Sequence, residues 1–344
     1  MLNKDFCVFI LTHGRPDNVI TYKTLKKCGY TGKIYFIVDN EDSTIEQYKQ
    51  NFGEDNVIVF DKKRMADEID EANNFDNRKV IVHARNVCFK VAKYLGIEYF
   101  LQLDDDYKQF KFRFENKLGY EAVIKNINPI FNIFIEFLKS TSILSIAFSQ
   151  GGDHIGGFAI TKLKRKCMNS FFCSVDKPFK FIGSINEDVN TYTVLGSRGG
   201  LFFTFTSVQL DQKETQTQTG GMSGIYLDNG TYIKSFTTVL MHPSGVKVSM
   251  MNANHKRLHH LVKWNNTVPK IIRETNKKQP LIKYKVSFYV VSKTFDSWER
   301  VFESKIDIDK LKEDDISLHE EIYATLNKEF KCTMIYEILK LNNN

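Results

Sequence analysis

The sequence predicts an α/β protein whose central sheet is mostly parallel and Rossmann-like. Between residue 6 and about residue 103, short apolar segments of strand length alternate with amphipathic segments of helical length. Such alternation is typical of βαβ units, which build parallel sheets. Polar and acidic residues directly follow several of the apolar segments. Because open α/β sheets bind ligands at the carboxyl ends of their strands, we expect the functional site at that edge of the sheet.

The elements of this first part are predicted from their apolar patterns. Strands are expected at residues 6–11, 33–38, 57–60 and 98–103, and helices are expected to begin at Asp17, Ser43 and Ala84. The polar groups that follow the strands are residues 12–15 after the first, 39–42 after the second and 104–106 after the fourth. Their positions predict that these three groups lie together at one sheet edge.

The remaining chain is less regular. An apolar helix is expected near residues 124–138, and residues 211–224, rich in glutamine, threonine and glycine, predict an exposed loop that is a candidate lid. Basic residues crowd between Lys256 and Lys285 against the single acid Glu274. After Pro280, two strands at 284–292 and 300–308, a helix at 318–330 and a strand near 334–339 indicate a small α+β appendage over residues 281–344.

Composition favours an acidic ligand and a reducing compartment. The formal net charge of +7 favours phosphates, on a nucleotide or on nucleic acid, as partners. The six cysteines include no Cys-x-x-Cys pair, so neither a disulfide framework nor a zinc site is expected. No segment has the length of a membrane span, and the first apolar run is too short for a signal peptide. We therefore expect a cytoplasmic protein that has no membrane partner.

The sharpest feature is an apolar strand that ends in three carboxylates, Asp104-Asp105-Asp106. Several like charges at one strand end are costly unless a cation neutralises them, and carboxylate oxygens suit Mn²⁺ or Mg²⁺ carrying a diphosphate. The triplet therefore indicates a metal site. A solvated acidic turn that caps the following segment is the alternative.

The motifs around this triplet resemble the nucleotide-sugar half of GT-A glycosyltransferases, particularly their large inverting family. Ala84-Arg85-Asn86 opens a helix, Gly96 is suited to end it, and the next strand carries the triplet. The resemblance spans about residues 5–107 and implies a GT-A fold. It also implies that Asp104 and Asp106 bind the metal and the diphosphate, while Arg85 lies near the donor. A surface salt bridge is the alternative role for Arg85.

The same resemblance implies two loops that hold the nucleoside of the donor, expected to be a UDP-sugar. Thr12, His13 and Arg15 lie in the first loop, and Asp39 in the second loop is expected to accept a hydrogen bond from the base or the ribose. An aspartate at such a position is also an ordinary signal for the start of a helix.

Two acidic residues further along the chain are candidates for the general base that sugar transfer to a hydroxyl requires. By the GT-A resemblance, Asp188 is nominated for this role, with Glu187 second, because they lie where inverting enzymes carry an acidic motif at the start of a helix. The alternative is that both residues only complement the positive end of the helix dipole.

A third metal ligand is expected from a histidine. The segment from His242 to Lys247 loosely resembles a His-x-x-Gly-x-x-Lys motif, with a spacing that differs by one residue. This resemblance implies that His242 binds the metal and Lys247 neutralises the leaving diphosphate. His255, His259 and His260 are alternatives, the first two at the spacing of one helical turn.

The chain as a whole resembles a narrower group, the phage-encoded TET-associated glycosyltransferases. The motifs that carry this resemblance are Thr12-His13-Gly14-Arg15-Pro16-Asp17, Gly29-Tyr30-Thr31-Gly32, Val38-Asp39-Asn40-Glu41-Asp42, His83-Ala84-Arg85-Asn86 and Leu103-Asp104-Asp105-Asp106-Tyr107. The resemblance implies a 5-hydroxymethylpyrimidine acceptor in double-stranded DNA, within the cytoplasm of the phage host. The basic stretch would then follow the phosphate backbone through Lys263, Lys270 and Arg273.

In this interpretation residues 1–280 form the glycosyltransferase domain, with a nucleotide-sugar half at 1–107 and an acceptor half at 108–280 that includes the basic stretch. Three other functions stay open. A GT-A enzyme could act on a glycan or a protein, and a nucleotidyltransferase would share the nucleotide and metal sites but attack phosphorus. A non-enzymatic DNA-binding protein with a degenerate fold is the third, and the intact pair of Asp104 and Asp106 argues against it.

Overall fold

The computed structural model describes residues 4–69, 78, 80–114, 120–154, 163–212, 232–252, 256–267, 281–291, 295–312, 315–330 and 333–341. The chain forms two compact units, Met1–Lys270 and Ile271–Asn344. The domain boundary predicted after residue 280 falls at the end of the segment 268–280, which lies outside the described residues. Most of the predicted loop at 211–224 also lies outside them.

The described strands number fifteen. They are β1 (Phe6–Leu11), β2 (Lys33–Asp39), β3 (Val57–Phe60), β4 (Tyr99–Asp104), β5 (Tyr107–Phe114), β6 (Tyr120–Val123), β7 (Ser145–Ser149), β8 (Leu163–Lys164), β9 (Ser170–Ser174), β10 (Phe202–Gln212), β11 (Val246–Asn252), β12 (Lys256–Val262), β13 (Ile282–Val291), β14 (Phe295–Ser304) and β15 (Thr333–Lys340).

Eight α-helices are described. They are α1 (Ile20–Lys27), α2 (Ile45–Phe52), α3 (Lys62–Ala66), α4 (Val82–Tyr94), α5 (Asn128–Ser140), α6 (Glu187–Ser197), α7 (Tyr232–Met241) and α8 (Ser317–Phe330). Within the described part of the chain, no helix is long and apolar enough to cross a membrane.

The first unit is built on a ten-stranded sheet in the order β3-β2-β1-β4-β9-β7-β10-β5-β6, with β8 paired to β10. The pairs β3-β2, β2-β1, β1-β4 and β7-β10 are parallel, and the other pairs are antiparallel. The predicted α/β class, with its Rossmann-like parallel strands, is therefore confirmed. The parallel strands end at the same edge, where Leu11 of β1 is in register with Asp104 of β4.

Strand alternation divides the core into two layers. In β1, Phe6, Val8 and Ile10 face one layer with α1, α2 and α5, whereas Cys7 and Phe9 face the other layer with α3, α4 and α6. Because every residue of β1 is buried, this strand is the centre of a sheet that is covered on both faces, as parallel sheets require.

The second unit has a three-stranded antiparallel sheet in the order β14-β13-β15, covered by α8. Its core contains Tyr284, Val286 and Phe288 from β13 with Leu318 and Leu326 from α8. Residues alternate along β13 and recur three to four apart along α8, which is the pattern each element needs to bury one face.

Several predicted boundaries differ from the structure. The apolar helix expected at 124–138 is α5, which begins at Asn128 because Pro129 occupies its first turn, where a missing N–H has no cost. The second strand of the appendage begins at Phe295 instead of residue 300 because it pairs along the whole of β13. The helical spacing of His255 and His259 is wrong, since residues 256–262 form strand β12 and His255 lies outside the described residues.

Candidate active site

The three polar groups predicted to meet do lie together at the carboxyl edge of the parallel strands. Leu11 is in register with both Ile37 of β2 and Asp104 of β4, so the residues that follow β1, β2 and β4 emerge side by side. The Oγ1 of Thr12 donates a 2.8 Å hydrogen bond to the Oδ2 of Asp105, although 93 residues separate them. The first loop and the acidic triplet are therefore one structure.

The middle residue of the triplet points into the protein. Asp105 is 5% exposed and accepts hydrogen bonds from Thr12 and from the Nη1 of Arg15, the latter at 3.0 Å. Since Thr12 gives its hydroxyl proton to Asp105, the hydroxyl of Tyr48 donates to the Oγ1 of Thr12 at 2.8 Å and accepts the backbone N–H of Arg15 at 2.8 Å. Arg15 and Thr12 thus anchor the triplet, which the sequence did not predict.

The turn that carries the triplet is held from below by Thr21 of α1. The Oγ1 of Thr21 donates to the backbone oxygen of Asp104 at 2.5 Å and accepts the backbone N–H of Tyr107 at 2.9 Å. One hydroxyl therefore fixes both ends of the turn, and the side chains of Asp104 and Asp106 remain half-buried at the sheet edge.

Arg85 joins the triplet to the second acidic motif. Its Nη2 donates to the Oδ1 of Asp104 at 3.0 Å and its Nε donates to the Oε1 of Glu187 at 2.9 Å. The side chain is only 1% exposed, and its guanidinium lies 4.9 Å from the centre of the Phe171 ring. Burial lowers the pKa of Arg85, but Asp104 and Glu187 more than compensate and raise it above its usual range. The ion pair is buried and is not the surface salt bridge considered as an alternative.

The carboxylates at this edge repel one another. Burial raises the pKa of Asp104 to about 7, Arg85 opposes the shift, and the nearby charges of Asp106 and Glu187 add to it. Burial also raises the pKa of Asp106. Among the described residues the buried Oδ1 of Asp106 has no hydrogen-bond partner, while its Oδ2 accepts from the Nε2 of Gln212 at 3.3 Å. An unpartnered carboxylate oxygen beside a second carboxylate fits a divalent cation.

The described residues contain no group of three or more histidine, cysteine, aspartate or glutamate side chains arranged to hold a metal. Mg²⁺ in phosphate-transfer sites is commonly held by one or two carboxylates, with substrate phosphates and water completing its shell. Asp104 and Asp106 satisfy that requirement, whereas His242 does not join them in a three-residue group.

The second loop forms a compact charged pocket with His13. The Nδ1 of His13 lies 2.7 Å from the Oδ2 of Asp39, and the Nζ of Lys62 lies 3.3 Å from its Oδ1. The hydrogen bond with Asp39 raises the pKa of His13. Burial alone would raise the pKa of Asp39, but His13 and Lys62 outweigh burial, so the pKa of Asp39 is lowered. Asp42 adds a 2.6 Å hydrogen bond from the backbone N–H of Gly14. Lys62 and Asp42 were not among the predicted site residues.

The acidic pair at the start of α6, Glu187 and Asp188, directly follows a residue with an unusual backbone conformation. Asn186 has φ of 56°, the left-handed region, and its Nδ2 donates to the backbone oxygen of Lys234 at 2.7 Å and to the Oγ1 of Thr238 at 2.9 Å. These two bonds tie the start of α6 to α7. Strained non-glycine residues cluster at functional sites, so the conformation of Asn186 is a signal that the sequence pattern did not reveal.

Asp188 is 7% exposed, and its Oδ1 accepts the N–H of Val189 at 2.7 Å. Burial raises the pKa of Asp188 to about 6, with Glu187 adding to the shift and Lys234 opposing it. A carboxylate whose pKa lies nearer neutrality is a stronger base than an ordinary aspartate. Glu187 is committed to Arg85, so the geometry distinguishes the two residues.

The remaining predicted residues that the structure describes lie on or beside α7, β11 and β12. His242 follows α7, and its buried Nδ1 has no hydrogen-bond partner in the part of the chain that the structure describes. A Cβ on Gly245 would lie 2.2 Å from the Cε1 of His242. Lys247 is exposed on β11 and Lys263 is exposed just after β12. No described contact joins them to the triplet. Lys270 and Arg273 lie outside the described residues.

Solved structures that match this chain include glucosyl-3-phosphoglycerate synthase from Mycobacterium tuberculosis bound to Mg²⁺ and UDP, with a TM-score of 0.39, 10% identity, and coverage of 78% of this chain and 88% of that chain. A nucleotide-diphospho-sugar transferase from Desulfovibrio desulfuricans G20 has a TM-score of 0.35, 8% identity, and coverage of 68% and 99%. GalNAc-T7 has a TM-score of 0.35, 11% identity, and coverage of 62% and 44%.

No sequence among the curated proteins matches the chain. The family model of the TET-Associated Glycosyltransferases matches residues 6–221, a span that holds the whole acidic triplet, the Arg85 bridge and the Glu187-Asp188 pair. The chain belongs to the TET-associated glycosyltransferase family.

Proposed function

We propose that this glycosyltransferase moves a sugar from a UDP-sugar to the hydroxyl of a 5-hydroxymethylpyrimidine in double-stranded DNA, with the help of Mn²⁺ or Mg²⁺. The observation that carries the proposal is the buried bridge in which Arg85 contacts both Asp104 and Glu187. It couples the carboxylates suited to a metal diphosphate with the motif that contains the proposed base. The proposed donor site and the proposed acceptor site are thus joined by one side chain, that of Arg85.

The residues proposed for the metal are Asp104 and Asp106, with His242 as a further candidate. When bound there, a divalent cation would offset the negative charge of the diphosphate as the sugar departs. Arg85 keeps the carboxylate of Asp104 oriented, and Asp105 holds the turn in place through Thr12 and Arg15. Lys247 is proposed to approach the leaving diphosphate.

The nucleoside pocket proposed is the loop pair that contains Thr12, His13 and Asp39. In this pocket the carboxylate of Asp39 is flanked by the imidazole of His13 and the ammonium group of Lys62. The complementary ligand edge has a donor between two acceptors, and the N3–H of uracil between its O2 and O4 has this pattern. This match supports a uridine nucleotide as the carrier.

In the proposed reaction Asp188 accepts the proton of the acceptor hydroxyl as its oxygen attacks the anomeric carbon. The bond from that carbon to the diphosphate oxygen breaks, and a nucleoside diphosphate leaves. The raised pKa of Asp188 supports the role, because burial makes its carboxylate more basic. Glu187 orients the start of α6 through Arg85 instead of contacting the acceptor.

Lys263, Lys270 and Arg273 are proposed to contact the phosphate backbone of the acceptor. To test the acceptor class, the full-length protein is incubated with a UDP-sugar and either hydroxymethylated DNA, a neutral oligosaccharide or an unfolded protein. Release of UDP that rises only with hydroxymethylated DNA is the expected result. Release that rises only with the oligosaccharide or protein would favour a GT-A transferase of another acceptor class, and release of a sugar 1-phosphate with transfer of uridine monophosphate to the acceptor would indicate a nucleotidyltransferase.

A further inference from the structure

We infer that the two-stranded ribbon of β11 and β12 is the surface that docks double-stranded DNA, with the ribbon lying in the major groove. The inference rests on the proposed DNA acceptor and assigns the contact to a particular element. The ribbon is a separate two-stranded sheet whose antiparallel register runs from Val246 opposite Val262 to Asn252 opposite Lys256.

The ribbon lies within an unusually one-sided part of the sequence. Between Asn229 and Arg273 there are seven lysine and arginine residues and no aspartate or glutamate, although the whole chain has 41 acidic residues. Such a stretch creates a positive potential that a polyanion recognises. By contrast, residues 281–344 include twelve acidic residues against ten lysine and arginine residues, so this segment is not the basic surface.

The cations of the ribbon are available to a ligand. Lys247, Lys256 and Lys263 are all exposed, and no ion pair or hydrogen bond of their side chains is found in the described part of the molecule. Elsewhere in the first unit some exposed or half-exposed cations are paired, as Lys90 is with Glu68 and Arg78 with Glu41. Exposed lysines such as Lys23 and Lys93 also have no described ion pair, so the ribbon is distinguished by the absence of acidic residues from its stretch of sequence.

The ribbon also presents apolar side chains at the solvent. Leu261, which lies opposite Lys247, is 47% exposed, and Met250, opposite Leu258, is 56% exposed. Exposed apolar side chains beside lysines suit a duplex groove, where lysines reach phosphates and apolar groups contact substituents at C5 of pyrimidines. The major groove admits a two-stranded ribbon, and C5 substituents project into that groove. A ribbon in the major groove therefore lies on the side from which the hydroxymethyl group is reached.

The ribbon is attached to the helices of the proposed base. Ser235 of α7 donates its hydroxyl to the backbone oxygen of Leu258 in β12, and α7 is tied to Asn186 at the start of α6. Just after β12, the ring of Trp264 stacks on Tyr192 of α6 at 5.9 Å. The ribbon that would bind the duplex is thus attached to α6 and α7, the two helices that position Asp188.

The test compares two variants of equal charge change in the full-length protein. The ribbon variant combines Lys256→Gln and Lys263→Gln and keeps Lys247, which is proposed to approach the diphosphate; the control combines Lys23→Gln and Lys93→Gln, two exposed lysines on α1 and α4. Binding to a fluorescent DNA duplex is measured by anisotropy over a range of salt concentrations. The ribbon variant is expected to lose at least about tenfold in affinity and to reduce the salt slope by about 2, whereas the control changes little.

Hydrolysis of the UDP-sugar is measured in parallel and is expected to be equal in both variants, which shows that the fold and the donor site are intact. Equal loss of affinity in both variants, unchanged affinity in the ribbon variant, or tighter ribbon-dependent binding to single-stranded RNA than to duplex would overturn the inference. Failure of the proposed function is separate: the wild-type protein would bind the duplex through the ribbon yet transfer no sugar to hydroxymethylated DNA.

Discussion

The Nη2 of Arg85 lies 3.0 Å from the Oδ1 of Asp104, although Arg85 is almost completely buried and Asp104 sits at the sheet edge. The same guanidinium reaches Glu187 through its Nε. A rigid fork that contacts two carboxylates from one buried position fixes their separation, which a flexible lysine cannot do. Arg85 is therefore a positioning residue for both acidic motifs.

Arg85→Lys is expected to keep the positive charge but lose one of the two carboxylates, so sugar transfer should fall at least about tenfold while the protein stays folded. Arg85→Met should leave two half-buried carboxylates without this partner and cost up to about 3 to 5 kcal/mol in the free energy of unfolding. Urea unfolding and turnover of the donor measure the two effects. A fully active, stable Arg85→Met protein would show that the bridge has no such role.

The three aspartates of the triplet are expected to respond differently to amide substitution. Asp104→Asn and Asp106→Asn should weaken Mn²⁺ binding and lower donor hydrolysis by about a hundredfold or more, because they remove charge while keeping shape. Asp105→Asn should instead lower the free energy of unfolding by about 1 to 3 kcal/mol, because Asp105 receives Thr12 and Arg15 inside the protein.

Titration of Mn²⁺ and urea unfolding of the three triplet variants separate these outcomes. If Asp105→Asn were the variant that lost the metal while the other two kept it, the assignment of ligands would be wrong. Full donor hydrolysis by the wild-type protein in excess chelator would contradict the metal dependence itself.

Much of the parallel half of the fold was predictable from the sequence, because each strand there is a short apolar run between turn residues. The first and third strands have the predicted bounds, and the second and fourth differ from them by one residue. Boundaries failed where pairing or a proline decided them, as in α5 and β14. Strand β12 was not recognised, since Leu258-His259-His260-Leu261-Val262 lacks a clean alternation of apolar and polar residues.

The site was predictable only as a set of candidates. Position after a strand correctly brought Thr12, Asp39 and Asp104 to one edge. The contacts among the site residues join positions far apart in the chain, such as Arg85 and Glu187, which are separated by 102 residues. A single sequence contains no local signal for such pairs. Lys62 likewise reads as an ordinary lysine at the start of a short helix, and only the fold shows it beside Asp39.

Asp188→Asn is expected to lower the rate of transfer by at least about a hundredfold with little change in donor affinity, because a base acts mainly in the transition state. Transfer by the wild-type protein should rise as pH increases through about 6, where Asp188 loses its proton beside Glu187, Lys234 and Arg85. Rates across pH measure this. If Glu187→Gln abolished transfer while Asp188→Asn were mild, the base would be Glu187.

Asp188→Asn lowers the transfer rate but is expected to increase the stability of the fold. The pKa of Asp188 is raised from 3.8 to about 6 on folding, so the folded state prefers the protonated form, and that preference is lost as pH rises through about 6. An asparagine keeps the acceptor for the N–H of Val189 and carries no charge. Asp188→Asn should therefore stabilise the fold by about 1 to 3 kcal/mol near neutral pH and by almost nothing near pH 3. If the variant and the wild-type protein differed in free energy of unfolding by the same amount at both pH values, the buried charge of Asp188 would be contradicted.

Asn186→Gly is expected to preserve the left-handed backbone without strain while removing both hydrogen bonds to α7. The kcat for transfer should fall about tenfold, the KM for the donor should stay unchanged, and Tm should shift by only a few degrees. Thr238→Val is the matched control, because it removes one of the two bonds and should have a smaller effect. A wild-type kcat in Asn186→Gly would show that the two hydrogen bonds from Asn186 to α7 do not position Asp188.

The central claim is that this family member transfers a sugar from a uridine nucleotide to a hydroxymethylated base. The most direct measurement is to incubate the protein with Mn²⁺, a panel of nucleotide-sugars and DNA that contains 5-hydroxymethylcytosine, then digest the DNA and weigh its nucleosides. A hydroxymethylcytidine that has gained the mass of one sugar residue, with UDP released in equal amount, is the predicted result. A nucleoside that has gained a nucleotide, or DNA that stays unmodified with every donor while an oligosaccharide accepts the sugar, would contradict the claim.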